Sequence, residues 1–424
     1  MPVYLGCIAD DFTGATDLAG LLARNGSRVS LRIGVPKASP IKSETSDYEV
    51  IALKCRSSIV KEALSETSSA LSWLKSAGAQ KLFWKYCSTF DSTDNGNIGP
   101  VAESLMEKLG VEQTIFCPAF PENDRNVFMG NLFVGDQLLS ESSMKDHPIN
   151  PMRDSNLIRL LDAQTNWKVG LANHLVIKQG VKSLQNHVLK LKERKIQHII
   201  VDAISNNDLY VIAQAFFDWP LITGGSAIAE KLSNIYNNLG LTGKFKERVS
   251  ANKIDENSIV LSGSCSLKTR EQISKYLRED NGFKLDPIEI SEKGLDEATN
   301  WLIAKKNHPN KIIYSCFEKN DIEKAKHRLG SSNASKIIED AMTVLAQNAF
   351  SLGIRRFVIA GGETSGAVIN GLNISKLQIG SEISPGVPWT FASKDNKNLA
   401  FCLKSGNFGN ANFFSEAFEK LENI

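Results

Sequence analysis

Short runs of branched and aromatic side chains recur along the chain, each ending in Gly, Asp or Ser and each followed by helical apolar spacing. Runs this continuous predict strands buried on both faces, with the intervening segments as helices packed over them. The expected strands are Val3–Ala9, Val29–Ile33, Val50–Lys54, Leu82–Cys87, Thr114–Pro118 and His198–Asp202. Later in the chain come Ser258–Ser262, Lys311–Cys316, Phe357–Ala360 and Leu399–Leu403. The expected helices include Ala15–Arg24, Val60–Ala77, Val101–Leu109, Asn207–Ala215, Thr269–Arg278, Ser335–Leu352 and Ala367–Leu372. The pattern predicts an α/β protein with largely parallel sheets flanked by helices.

The pattern lapses twice. Residues 234–257 are polar and charged, and the apolar run SIVLSGS follows at once, so two domains are expected: 1–240 and 258–424, joined by a linker over 241–257. From Ala119 to Met152 the chain is rich in Pro, Gly, Asn and Asp and reads as a stretch without regular structure, the kind that serves a site or packs elsewhere as an arm.

A length of 424 residues with 42% hydrophobic side chains suits more than one core. The 49 Lys and Arg nearly balance the 47 Asp and Glu, for a net charge of +2, which gives no support to a nucleic-acid or membrane partner. No run nears the roughly 18 apolar residues of a membrane span, and the first residues, MPVYLGCIADDF, do not resemble a signal peptide. The seven cysteines form no CxxC pair and read as buried free thiols of a reducing compartment, so the cytoplasm is the expected location. The six histidines make no metal-binding pair; His147 alone, inside the irregular stretch, merits attention.

Chemistry gathers where strands end. In IADDFTGA the first strand runs into Asp10 and Asp11, and Thr13 sits where it could cap the following helix. Ligands of open α/β sheets bind beyond such strand ends, where a carboxylate can take a proton from a sugar hydroxyl or hold Mg²⁺. A strand terminator with a helix cap explains the same residues equally well. The second cluster, KYCSTFDST followed by GNIGP, offers Lys85, Ser88, Asp91 and further hydroxyls to a polyhydroxy ligand, against the alternative of a self-satisfied turn. In the C-terminal half three glycine-bearing turns follow strands: Ser262-Gly263-Ser264, Gly361-Gly362-Glu363-Thr364 and the turn holding Gly406. Glycine admits close backbone approach and helix N-termini hold anions, so three such turns in one domain point to a nucleotide pocket. Neither GxxxxGK[ST] nor GxGxxG is present.

Taken together, IADDFTGATDLAG, KYCSTFDST, GNIGP, ESSMKDHPINPM, PLITGGSAIA, VLSGSCS, AGGETSGAV, EISPGVPW and KSGNFG resemble the four-carbon acid sugar kinase family. The STFDST loop is similar to its 3-oxo-tetronate branch. The resemblance implies an ATP-dependent kinase that phosphorylates the terminal 4-hydroxyl of a four-carbon sugar acid, with 3-oxo-tetronate the favoured substrate and threonate or erythronate the alternative. A nicotinamide-dependent oxidoreductase of sugar acids is a more distant alternative, disfavoured by the missing GxGxxG.

The resemblance implies that ATP lies on Ser262, Gly263, Ser264, Gly361, Gly362, Glu363, Thr364 and Gly406, with Mg²⁺ carried on its phosphates. It places the sugar acid against Thr13, Arg56, Lys85, Ser88 and Arg125, and catalysis on Asp10, Asp91 and Asp11, in a cleft between the two domains. Asp124, Asn126, Asn131 and Ala227 depart from the family pattern and bear on substrate choice. A homodimer is left open.

Overall fold

The structure is a computed structural model that describes residues 3–146, 150–243, 254–278, 281–315, 324–325, 327–406 and 408–422. The chain divides into two compact units, Met1–Phe245 and Lys246–Ile424.

Among its described residues the first unit carries eight parallel strands: β1 (Leu5–Ala9), β2 (Val29–Ile33), β3 (Tyr48–Ala52), β4 (Lys81–Lys85), β5 (Thr114–Cys117), β9 (Val169–Ala172), β10 (His198–Val201) and β11 (Leu221–Gly224). Their order is β2-β3-β1-β4-β11-β5-β10-β9. Strand β1 has β3 on one side and β4 on the other, so the chain reverses its winding direction there and opens a crevice beyond the carboxyl ends of these strands. The α/β expectation is met, and the reason is visible in burial: β1, β3, β5, β10 and β11 are buried along their whole length. Tyr86 illustrates the packing, with its ring on Phe116 and its hydroxyl 3.0 Å from Thr223 Oγ1.

The described residues between Ala119 and Met152 include regular structure that the sequence did not announce. Arg125–Leu138 folds as an antiparallel meander of β6 (Arg125–Phe128), β7 (Asn131–Val134) and β8 (Gln137–Leu138). These strands are too short and too half-buried to show alternation in sequence. Buried Asp202, just past β10, fixes the β6–β7 turn by accepting hydrogen bonds from the backbone N–H of Met129 and Gly130. His147 lies outside the described residues.

In the second unit β12 (Ser258–Ser262), β13 (Gly282–Lys284), β14 (Lys311–Tyr314), β15 (Arg356–Ala360), β16 (Lys376–Ser384), β17 (Val387–Lys394) and β18 (Lys397–Lys404) follow the order β13-β14-β12-β15-β18-β17-β16. The first five in that order are parallel, and β18, β17 and β16 run antiparallel. The sequence pattern gave no warning of β16, because Gln378, Gly380, Ser381 and Glu382 interrupt its apolar run. Val260, Val358, Trp389, Phe413 and Phe414 share one core, in which Trp389 Nε1 donates to Ala417 O at 2.9 Å. Burying each such side chain contributes roughly 1.5–3 kcal/mol.

Cys7, Cys55, Cys117 and Cys402 are buried free thiols, and burial pushes their pKa values up. Cys265 is disulfide-bonded, so the expectation of free thiols throughout fails there.

Candidate functional site

Three strand ends of the first unit feed one polar cluster. Asp10 and Asp11 follow β1, Arg56 lies in the turn after β3, and Lys85 closes β4 ahead of the loop that carries Asp91. Helix α1 (Phe12–Ala23) starts directly after the two acids. Its N-cap is Asp11, which accepts the Gly14 N–H at 3.1 Å. Thr13 therefore does not cap; it lies inside the first turn, two residues past the N-cap.

Arg56 is the hub. Its Nε donates to Asp10 Oδ2 at 2.8 Å and its Nη2 to Asp10 Oδ1 at 3.0 Å and Asp11 Oδ1 at 2.7 Å, while Nη1 stands 3.7 Å from Asp91 Oδ2. Asp10 and Asp91 are buried and Asp11 is partly exposed. Burial raises the Asp10 pKa against the pull of Arg56. At Asp11 burial acts in the same sense, but Arg56, Lys85, Asp10 and the Gly14 N–H together hold the carboxyl below its usual range. Arg56 stays protonated: burial opposes its charge, yet the two aspartates raise its pKa well above the ordinary value.

The surrounding backbone is shaped for this cluster. A Cβ on Gly14 would stand 2.3 Å from Lys85 Nζ and 2.4 Å from Asp11 Oδ1, so a side chain there would displace both. Phe90, just before Asp91, has φ of +50°, an uncommon conformation for a bulky residue, and is buried with its ring edge-on to Tyr86. A turn held this way aims Asp91 from a fixed backbone. Asn97 Nδ2 donates to Cys55 O at 2.6 Å and Ser58 O at 2.9 Å, bracing the turn that carries Arg56. Gly14 and Asn97 stand inside the quoted motifs, but nothing in the sequence singles them out. Ser88 lies in the loop beside Asp91, half-buried. Arg125 sits on β6, where Nη1 donates to Asn123 O; no hydrogen bond or ion pair joins it to the cluster among the described residues.

In the second unit a cavity of about 320 Å³ is lined by Gly263, Ser264, Gly361, Gly362, Glu363, Thr364 and Gly406 on one side. Leu285, Pro287, Ala334 and Ile338 supply apolar surface, and Lys284, Asp286 and Glu339 join Glu363 as charged groups. Its size suits a small ligand. Ser262 is fully buried at the end of β12 and does not line it. Helix α2 (Gly362–Gly371) begins inside the glycine turn, five residues before the expected start at Ala367, because Gly361 with φ of +123° turns the chain straight into it. The first-turn N–H groups of that helix thus fall in the cavity wall. Cβ atoms would meet Thr364 Oγ1 at 2.1 Å from Gly263 and Ser264 Oγ at 2.4 Å from Gly406.

Residues 5–232 match the model of a sugar-binding N-terminal domain, and residues 259–414 that of a nucleotide-binding C-terminal domain. The chain is 43% identical to a 3-oxo-tetronate kinase of Pseudomonas fluorescens over 98% of its own length and 97% of the relative's. It is 40% identical to a 3-oxo-tetronate kinase of Haemophilus influenzae, covering 97% and 98%. Among solved structures, a Salmonella typhimurium LT2 protein that carries a tRNA synthase label aligns with a TM-score of 0.88 at 36% identity over 98% of each chain. A Haemophilus influenzae protein aligns with a TM-score of 0.81 at 38% identity, covering 98% of this chain and all of the other.

Proposed function

We propose that this chain, which belongs to the four-carbon acid sugar kinase family, transfers the γ-phosphoryl group of ATP to the 4-hydroxyl of 3-oxo-tetronate. The observation that carries the nucleotide half of this reading is the glycine-walled cavity at the start of α2, where side chains are missing because backbone must approach a ligand. The sugar acid rests on the relatives, which are 3-oxo-tetronate kinases across almost the whole chain.

In this reading the phosphates lie on Gly263, Ser264, Gly361–Thr364 and Gly406, and the base and ribose lie toward Leu285, Pro287 and Ile338. Ser262 acts from beneath, supporting the turn. Mg²⁺ rides on the phosphates and neutralises their charge. In the first unit Asp91 takes the proton from the attacking hydroxyl. Asp10 is the less apt base, because both of its oxygens are bound by Arg56. Arg56 gathers the aspartates, Asp11 fixes the helix start, and Lys85, Thr13, Ser88 and Arg125 hold the sugar acid.

Phosphoryl transfer from ATP measured with 3-oxo-tetronate, threonate and erythronate tests the substrate. Turnover is expected to be strong with the first and weak with the others, by up to about 10⁴, since a site that hydrogen-bonds a missing group discriminates sharply. The reverse ranking would reassign the substrate to threonate or erythronate.

A further inference from the structure

The loop that carries Asp91 is held on both sides of that residue. Ahead of it the Phe90 N–H donates to Cys87 O at 2.9 Å, and the buried Phe90 ring lies edge-on to Tyr86. Behind it the loop is tied to a residue far along the chain. Gln164, buried just past the helix Leu157–Asp162, donates from Nε2 to Ser92 Oγ at 3.0 Å and to Thr93 O at 2.9 Å. Its Oε1 accepts the Gly99 N–H at 3.2 Å. A carbonyl can only accept and a backbone N–H can only donate, so these partners fix which way the amide lies.

Both ends of the clamp rest on ordered backbone. The Gln164 N–H donates to Leu161 O at 2.9 Å, which fastens the residue to the end of its helix. A Cβ on Gly99 would stand 3.2 Å from Gln164 Cβ and 3.3 Å from Leu161 Cδ1, so glycine lets the two segments come together. Gly99 belongs to the first turn of the helix Ile98–Leu109, whose N-cap Asn97 makes no side-chain cap bond. Pro100 has no N–H and the Val101 N–H goes to Asn97 O, so Gln164 supplies the acceptor that the Gly99 N–H needs. Thr93 O also accepts the Gly96 N–H at 2.8 Å, and a Cβ on Gly96 would collide with Ser92 Oγ. The loop is tight.

We propose that Gln164 is a positioning residue for phosphoryl transfer: its amide ties the far side of the Asp91 loop to the start of the helix Ile98–Leu109 and so sets where the Asp91 carboxylate meets the attacking hydroxyl. This rests on the reading of Asp91 as the base. The Gln164 amide bonds Ser92 and Thr93, the two residues after Asp91, and among the described residues it bonds none of the charged side chains of the cluster. Its effect on the reaction runs through the loop backbone. Arg56 donates directly to Asp10 and Asp11, but its Nη1 stands 3.7 Å from Asp91 Oδ2, so the guanidinium fixes Asp91 less firmly than the other two. A shift of about 1 Å at a reacting group costs on the order of 10² in rate.

Steady-state kinetics with MgATP and the preferred sugar acid, on Gln164→Met, Asp91→Asn and the double variant, test this below the unfolding temperature of each. Gln164→Met keeps the length of the side chain and removes all three bonds. Its kcat should fall by about 10–10²-fold, with KM for both substrates within about twofold. With Asp91→Asn already in place, the same substitution should change kcat by less than about twofold, since a lost base has no position to lose. A merely structural glutamine would lower the unfolding midpoint and leave kcat alone. Gln164→Glu can still accept the Gly99 N–H but, when ionised, offers Thr93 O no donor. It should show the same pattern more weakly, and it carries the test if Gln164→Met does not fold. Normal kcat in folded Gln164 variants beside a slow Asp91→Asn overturns the proposal and leaves Asp91 as the base. An equal loss in both backgrounds, or a loss confined to KM, overturns it too and assigns Gln164 to another part of the site. A near-normal Asp91→Asn removes the base reading and the proposal with it.

Discussion

The two sites are built on opposite principles. The cluster of the first unit is made of side-chain charge, three carboxylates gathered on one guanidinium and a lysine beside them. The cavity of the second unit is made by leaving side chains out, with glycines at 263, 361 and 406 and a helix start in the wall. A charge cluster is sensitive to the identity of each group and tolerant of small shifts, because Coulomb attraction falls slowly with distance. A backbone cradle is indifferent to charge and intolerant of one methyl group. Conservative substitutions should therefore separate them: isosteric loss of charge should cripple the first site, and a single added carbon the second.

The largest effect is expected at Asp91. Asp91→Asn keeps size and removes the charge, so kcat should fall by roughly 10²–10⁴ with MgATP affinity unchanged. Asp11→Asn should cost less, since an asparagine can still cap the helix that Asp11 now caps. Steady-state kinetics with calorimetric nucleotide binding on both variants checks the order. A near-normal Asp91→Asn beside an inactive Asp11→Asn would move the base to Asp11.

The complementary test adds a methyl to the cradle. Gly406→Ala places Cβ 2.4 Å from Ser264 Oγ, and Gly361→Ala adds the strain of a positive φ to a 2.9 Å contact with Thr364 Oγ1. Each should weaken MgATP binding tenfold or more, about 1.4 kcal/mol, and leave the far-ultraviolet circular dichroism unchanged. Undiminished binding in both folded variants would remove the nucleotide from this cavity.

The same contrast explains what the sequence made legible. Glycine after a buried strand signals close approach or a positive φ, so the turns at Gly263, Gly361 and Gly406, three in one domain, could be picked out together. Asp10 and Asp11 could be found because they end a strand, but their pairing with Arg56, which the resemblance placed against the sugar acid, could not. Arg56 is 46 residues from Asp10, and only the placement of β3 beside β1 brings the two together. The cap went to Thr13 instead of Asp11 because Ser, Thr and Asp cap about equally well, and the choice depends on where the strand lets go. The meander at β6–β8 was hidden because its order comes from contacts outside itself: Val127 pairs with Ala203 and Asp202 fixes the turn. The hairpin of β16 and β17 was missed for a related reason, since a half-buried β16 need not be apolar.

The mildest and most discriminating test concerns Asn97, whose amide bonds backbone carbonyls and, among the described residues, none of the charged side chains. Its amide donates to Cys55 O and Ser58 O, which bracket Arg56 in the chain, and it is buried. Asn97→Ala leaves both carbonyls without that donor, which should lower stability by about 1–3 kcal/mol. If the brace matters only for folding, the loss ends there. If it sets the reach of Arg56 toward Asp10, Asp11 and Asp91, kcat should fall by about tenfold, the worth of some 1.4 kcal/mol of lost alignment, with MgATP affinity unchanged. Chemical denaturation measures the first quantity, and kinetics below the midpoint of thermal unfolding measures the second. A variant that is destabilised yet turns over normally would show that the aspartates alone fix the guanidinium, and that the charge cluster orders itself without help from the backbone.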